Sequence, residues 1–126
     1  METAGAAFAR AIAAKDAAAL RAVLSDTVDF QALTPGRHFL AETGTEVAVE
    51  VILGRWFASA RIDELCSVAD GEVAGRGHVA YRLRVRARDG DYLVEQQAYY
   101  DTAADGRIGW MRVLCSGYRP VTGPAT

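Results

Sequence analysis

The spacing of apolar residues changes character once along this chain, near Ser59. Before that point it is helical. Phe8 and Ile12 are four apart, and Leu20, Val23 and Leu24 extend the same face through a run dense in alanine, from Thr3 to about Leu24. Lys15-Asp16 interrupts the two apolar sets, and Asp16 can cap a second helix, so two short helices in a V and one long helix are both open. Val28–Leu33 alternates as a strand, with Val28 and Phe30 on one side and Asp29 and Gln31 on the other. Pro35-Gly36 marks a turn, and a short strand is predicted at His38-Phe39-Leu40. A third helix is predicted from Thr43 or Thr45, with a threonine cap, Glu46 in its first turn, and Val49, Ile52, Leu53, Trp56 and Phe57 as its apolar face.

After Ser59 alternation dominates, which predicts strands at about 62–70, 76–88, 91–102 and 107–118. Asp89-Gly90 reads as a two-residue hairpin loop. That loop sets Arg88 opposite Asp91, and the rest of the register follows: Val85 opposite Val94, Leu83 opposite Gln96, Tyr81 opposite Ala98 and Val79 opposite Tyr100 on one side of the sheet. On the other side it sets Arg86 opposite Leu93, Arg84 opposite Glu95, Arg82 opposite Gln97 and Ala80 opposite Tyr99. A slip of one residue would mix the apolar and polar sets.

Composition narrows the class. At 126 residues the chain fits a single domain, 1–126, with a core over about 4–120 and a short flexible tail after Pro120. A chain of this length buries enough surface to need no disulfide or metal. The formal net charge of −2 lacks the basic excess of a nucleic-acid binder. No apolar run approaches the length of a membrane span. The alanine-rich start is broken by Glu2, Arg10, Lys15 and Asp16 and is not a signal peptide, which points to the cytoplasm. Cys66 and Cys115 are expected to be buried free thiols, since neither the spacing nor a nearby His suggests a metal site. No glycine-rich phosphate loop is present, so no cofactor is implied.

Three stretches carry a resemblance: Leu24-Ser25-Asp26-Thr27-Val28-Asp29-Phe30, the helix containing Gly54-Arg55-Trp56-Phe57, and the turn Asp105-Gly106-Arg107-Ile108 into the last strand. Over about residues 4–120 the chain resembles the nuclear transport factor 2-like superfamily, in its SnoaL-like and ketosteroid-isomerase-like branch. The resemblance implies an α+β, cone-shaped (cystatin-like) roll. About three helices from the N-terminal half would pack on the concave face of a curved, mainly antiparallel sheet and leave an apolar pocket. It also implies a homodimer through the convex face, where Arg82, Arg84, Glu95, Tyr99 and Trp110 lie with Arg86, Arg88, Leu93, Gln97, Arg112 and Leu114. Mixed arginine and aromatic residues suit such an interface.

Pocket residues expected from alternation and the resemblance are Phe30, Trp56, Tyr81, Leu83, Gln96, Tyr100, Met111, Val113 and Cys115. The isomerase machinery implied by the resemblance is incomplete. The position of the base falls at Phe30, beside an outward-pointing Asp29. The position of the protonated acid falls at Gln96, and the first helix carries Phe8 rather than a tyrosine. A carboxylate–arginine cluster for epoxide opening and paired histidines for dehydration are also missing. Gln96, Tyr100 and His38 are the remaining candidates for chemistry, the last as a base paired with Asp29 or Glu42. Gln96 is the most informative, because burying its amide unpaired would cost roughly 1–3 kcal/mol. Cys115-Ser116-Gly117 contains a nucleophile type, but no positioned base accompanies it, so a packed thiol is the plainer reading. The sequence thus admits an isomerase- or cyclase-type enzyme on a small apolar oxygenated substrate, a non-catalytic ligand binder, and a dimeric protein-interaction module.

Overall fold

The structure, a computed structural model, describes residues 2–121. The tail expected after Pro120 therefore lies, from residue 122 on, outside the described residues. Residues 4–23 form two helices, α1 (Ala4–Ala13) and α2 (Ala17–Val23). The Thr3 hydroxyl caps α1 by accepting from Ala6 N, and the Asp16 carboxylate caps α2 by accepting from Ala19 N. Lys15, between them, adopts a left-handed backbone at φ 50°. Its ammonium donates to the Phe57 and Ala60 carbonyls at 2.7 and 2.8 Å, so a strained corner is held by bonds to another part of the fold.

Strands β1 (Leu24–Thr34) and β2 (Arg37–Thr43) follow, both longer than the spacing predicts. After α3 (Glu46–Trp56) come β3 (Arg61–Val73), β4 (Arg76–Ala87), β5 (Gly90–Thr102), β6 (Ile108–Cys115) and the short β7 (Arg119–Pro120). The sheet order is β2-β1-β6-β5-β4-β3, with β7 paired to β5. Every neighbouring pair is antiparallel except β1–β6. α1 lies on β3 and β4, while α3 packs against β2 and α2. The core fills the space between the helices and the inward sheet face, and Phe8, Ile12, Leu20, Phe30, Ile52, Leu83 and Met111 are fully buried there. This is the expected α+β architecture.

Helix α3 differs in its winding. It is a π-helix, and the Phe57 amide closes it onto the Ile52 carbonyl at 3.0 Å, five residues back. Its buried face therefore repeats every five residues, through Val47, Ile52 and Phe57, with Ala48 and Val51 beside them. Val49, expected on the apolar face, is exposed. The start is a capping box: Thr43 Oγ1 accepts from Glu46 N while Glu46 Oε1 accepts from Thr43 N. Gly54 permits the wider winding, because a Cβ there would lie 2.4 Å from the Val49 carbonyl oxygen.

The hairpin register also differs. The loop is Arg88-Asp89, and Gly90 enters β5 opposite Ala87 with φ 150°, a backbone open to glycine. All pairings move by two residues, so every side chain keeps its expected face and changes its partner. Tyr81 faces Gln96, Arg82 faces Glu95, Leu83 faces Val94 and Val79 faces Ala98. This register lets Tyr81 reach the Gln96 amide and pairs Arg82 with Glu95 at 2.7 Å, contacts that the loop-centred register would forgo.

On the edge strand β3 the pairing shifts twice, between Ile62 and Glu64 and between Leu65 and Ser67. Each extra residue resets the alternation. Cys66 occupies the second irregularity and is exposed, which corrects the expectation of a buried thiol; Cys115 is half-buried, and both are free.

Alanine normally stabilises a helix interior relative to glycine. At Gly54 the opposite is expected: Gly54→Ala should lower stability by about 1–3 kcal/mol through the clash with Val49. Urea denaturation checks this, and an unchanged or raised midpoint would contradict the proposed role of that glycine.

Candidate functional site

Three segments converge at one end of the sheet. β5 brings Val94 and Gln96, the end of α3 brings Trp56 and Phe57, and the stretch after β6 brings Cys115, Ser116, Gly117 and Tyr118. Together with Thr34 and Pro35 they line a cavity of about 370 Å³. β6 stops at Cys115, short of the expected 118, because the chain turns through Gly117 at φ 74°. Ser116 secures that turn: its hydroxyl accepts from Glu95 N at 2.9 Å and donates to the Gly117 carbonyl at 2.8 Å. A Cβ at Gly117 would come within 2.8 Å of Pro35, so glycine is needed for both backbone and space.

Gln96 is 1% exposed and is the sole buried polar residue among those described. The Tyr81 hydroxyl donates to its Oε1 at 2.5 Å, while its Nε2 has no partner. The opposite amide orientation would leave both the tyrosine proton and the amide oxygen unpaired, so the observed one is preferred. Tyr81 is pushed well above the usual tyrosine pKa, first by burial and then by the nearby Cys115. It remains a proton donor at neutral pH. Trp56, on the cavity wall, also has a buried indole N–H without a partner. Its ring packs against Phe30 and Phe39 at centroid distances of 6.3 and 5.8 Å. The Tyr118 hydroxyl donates to the Trp56 carbonyl at 2.7 Å, tying the segment after β6 to the end of α3.

Of the residues expected in the pocket, Trp56, Gln96 and Cys115 line this cavity and Tyr81 stands behind Gln96. Phe30, Leu83, Met111 and Val113 are core residues whose side chains fill the space under the helices. Tyr100 is displaced from the expected site. Its ring lies against Gly5 and Gly77, where any Cβ would come within 3 Å, and its oxygen accepts from Gly5 N at 3.1 Å. That end of the sheet has a larger open trough of about 720 Å³, but Thr3 and Asp70 there already bond each other at 2.6 Å. His38 is exposed and contacts Gln31 at 3.1 Å, not Asp29 or Glu42; Asp29 instead pairs with Arg112 at 3.1 Å on the outer face. The main residue missed from the sequence is Tyr118. Its signal was Ser116-Gly117, a turn pair that a continuous strand through 118 would not need.

No family model matches the sequence, and no curated protein matches it. Solved structures do. An LEH-like epoxide hydrolase from M. tuberculosis aligns with a TM-score of 0.63 at 18% identity, over 90% of this chain and 80% of that one. A ketosteroid isomerase-like protein from Erwinia carotovora atroseptica aligns at 0.58 and 21%, over 89% and 90%. A Silicibacter pomeroyi protein with a cystatin-like fold aligns at 0.55 and 16%, over 96% and 77%. The chain has the nuclear transport factor 2-like fold. At these identities the likeness extends to the fold and not to an activity. Among the described residues no helix is long and apolar enough to cross a membrane, and no cluster of three or more His, Cys, Asp or Glu could hold a metal.

Burial, and then the charge of Cys115, push the Tyr118 pKa up to about 12. The folded chain keeps this proton after the unfolded chain, with an ordinary value near 10, has lost it. Stability is therefore unaffected by this group below about pH 10 and falls as pH rises toward 12. Tyr118→Phe should make that fall shallower, as followed by thermal melts across the interval. An identical pH dependence in the variant would contradict the assignment.

Proposed function

We propose that this protein binds a small, largely apolar molecule in the cavity beside Gln96, as a binding module rather than as an isomerase- or cyclase-type catalyst. The observation that carries this reading is the unpartnered Gln96 amide on a mainly apolar wall that holds no charged side chain. Native structures rarely leave such a group unpaired, and a missing partner at a cavity suggests a ligand. Against proton-transfer chemistry stands the lining itself. It contains a thiol and a phenol, Cys115 and Tyr118, but no carboxylate or imidazole to serve as a general base. Both histidines lie on the outer sheet face, bonded to Gln31 and Gln97.

The test uses pyrene, an uncharged fluorescent hydrocarbon of suitable size. Wild-type protein should saturate with one pyrene per chain and shift its emission toward that of an apolar solvent. Cys115→Trp, which fills the cavity, should abolish binding while retaining the wild-type circular dichroism. Absence of binding by the wild type, or equal binding by the filled variant, would refute the reading.

The convex sheet face supports a second, separate proposal: a homodimer through a second copy of this chain. Leu114 and Leu33, which are register partners on β6 and β1, are 61% and 53% exposed, and Tyr99 is 40% exposed beside them. Arg82, Arg86 and Arg112 have carboxylate partners within the chain, at Glu95, Asp63 with Asp91, and Asp29. Arg84 has none among the described residues. A two-fold partner would offer that arginine a carboxylate from the same mixed surface and cover the leucines. Light scattering should give twice the chain mass at micromolar concentration, and Leu114→Asp or Arg84→Glu should lower it. A wild-type monomer would exclude this dimer.

A further inference from the structure

Two exposed arginines stand beside the cavity without a counter-ion. β2 begins at Arg37, and alternation puts Arg37 and Phe39 on the same sheet face as Ala41, which is buried and pairs with the buried Phe30. That is the face the helices cover. Arg37 is the register partner of Thr34, and Thr34 and Pro35 line the cavity. The tight Pro35-Gly36 turn, with Gly36 at φ 74°, keeps Arg37 close to that wall. Arg55 immediately precedes Trp56, another lining residue, at the end of α3. Both guanidiniums lie over the Phe39 ring, Arg37 at 5.0 Å and Arg55 at 5.7 Å from its centroid. That ring meets Trp56 edge-on at 5.8 Å, so a single aromatic ring separates each cation from the cavity wall. Neither arginine has an ion pair among the described residues, whereas Arg82, Arg86 and Arg112 each have a carboxylate. The ring attracts both cations, but with no anion between them they repel each other.

We propose that Arg37 and Arg55 form an oxyanion site at the rim of the cavity, and that the ligand is an amphipathic anion: a compact apolar body in the cavity and a carboxylate or phosphate at its edge. This deepens the small-molecule reading above and rests on it. The cavity wall itself holds no charged side chain, so a charged group stays at the rim, where both arginines are exposed and its desolvation costs little. Guanidinium groups suit that role, because their planar donors match two oxygens of a carboxylate or phosphate. An anion between them also offsets their mutual repulsion. The other role open to these side chains, covering Phe39 with their stems, favours no head group over another.

Three fluorescent probes that share the pyrene body separate the two roles: 1-pyrenebutanol, 1-pyrenebutyrate and 4-(1-pyrenyl)butyl phosphate. Their flexible tether lets the body enter the cavity while the head group reaches the rim. At low ionic strength the anions should bind about five- to tenfold more tightly than the alcohol, and the tighter of the two identifies the head group. The advantage should shrink as salt is raised. In Arg37→Gln/Arg55→Gln, whose changes are both on the surface and should leave the fold intact, the anions should lose their advantage while the alcohol binds as before. Equal binding of anions and alcohol by the wild type would overturn the inference and leave the small-molecule reading intact. An advantage that persists in the double variant would also overturn it, by moving the selectivity to other cations. So would anion binding that persists in Cys115→Trp, which would place the anion away from the cavity. Failure of pyrene and of all three probes to bind would remove both readings.

Discussion

Across the β4–β5 pair, the Tyr81 hydroxyl gives its proton to the Gln96 amide oxygen inside an otherwise apolar core, and most of the structure's particular features follow from that bond. It requires the two residues to sit directly opposite, which fixes the hairpin register and therefore the loop at Arg88-Asp89. The same register sets Arg82 against Glu95 on the outer face, so one alignment satisfies both sides of the sheet. It also orients the amide: with its oxygen turned to Tyr81, the Gln96 Nε2 group is the one left without a partner. A polar contact buried in this way is costly if half made, and here the unpaired half stands beside a cavity.

What the sequence made legible was facing, and what it hid was winding and pairing. Strict alternation from Val79 to Val85 and from Val94 to Tyr100 identified the inward set correctly, because a strand's two-residue period survives any even slip. Register was less legible, since a glycine after an aspartate is compatible both with the second turn position and with the first strand position. The third helix was recognisable as a helix, yet its face was misassigned. A period near 3.6 was assumed where the chain winds by five, and the mark of that winding, Gly54 against the Val49 carbonyl, is a steric relation that sequence spacing does not display. Tyr100 was misplaced for a similar reason. Two glycines far apart in sequence, Gly5 and Gly77, make room for its ring away from the cavity. Trp56, Gln96 and Cys115 were placed together in the expected pocket by alternation and the third helix, and they do line one cavity.

The solved structures that share this fold include proteins described as an epoxide hydrolase and as ketosteroid isomerase-like, so the fold alone does not specify an activity, which rests with the residues facing the cavity. In this chain those residues are rings, a thiol, a turn and one amide, an arrangement suited to holding a molecule by shape and a directed hydrogen bond. The end of α3 is fastened from two sides, by Lys15 to the Phe57 and Ala60 carbonyls and by Tyr118 to the Trp56 carbonyl. The cavity wall is thus braced by residues that do not all line it.

The two irregular pairings on β3 affect more than the orientation of Cys66. An edge strand of thirteen residues is long enough to recruit another strand from a neighbouring molecule. Two interruptions within its first half break the row of free backbone groups into short runs that a straight incoming strand cannot match. The same irregularities leave an exposed free thiol on that rim. The feature that discourages aggregation through the backbone therefore leaves open a covalent route, cross-linking between molecules through Cys66 under oxidising storage.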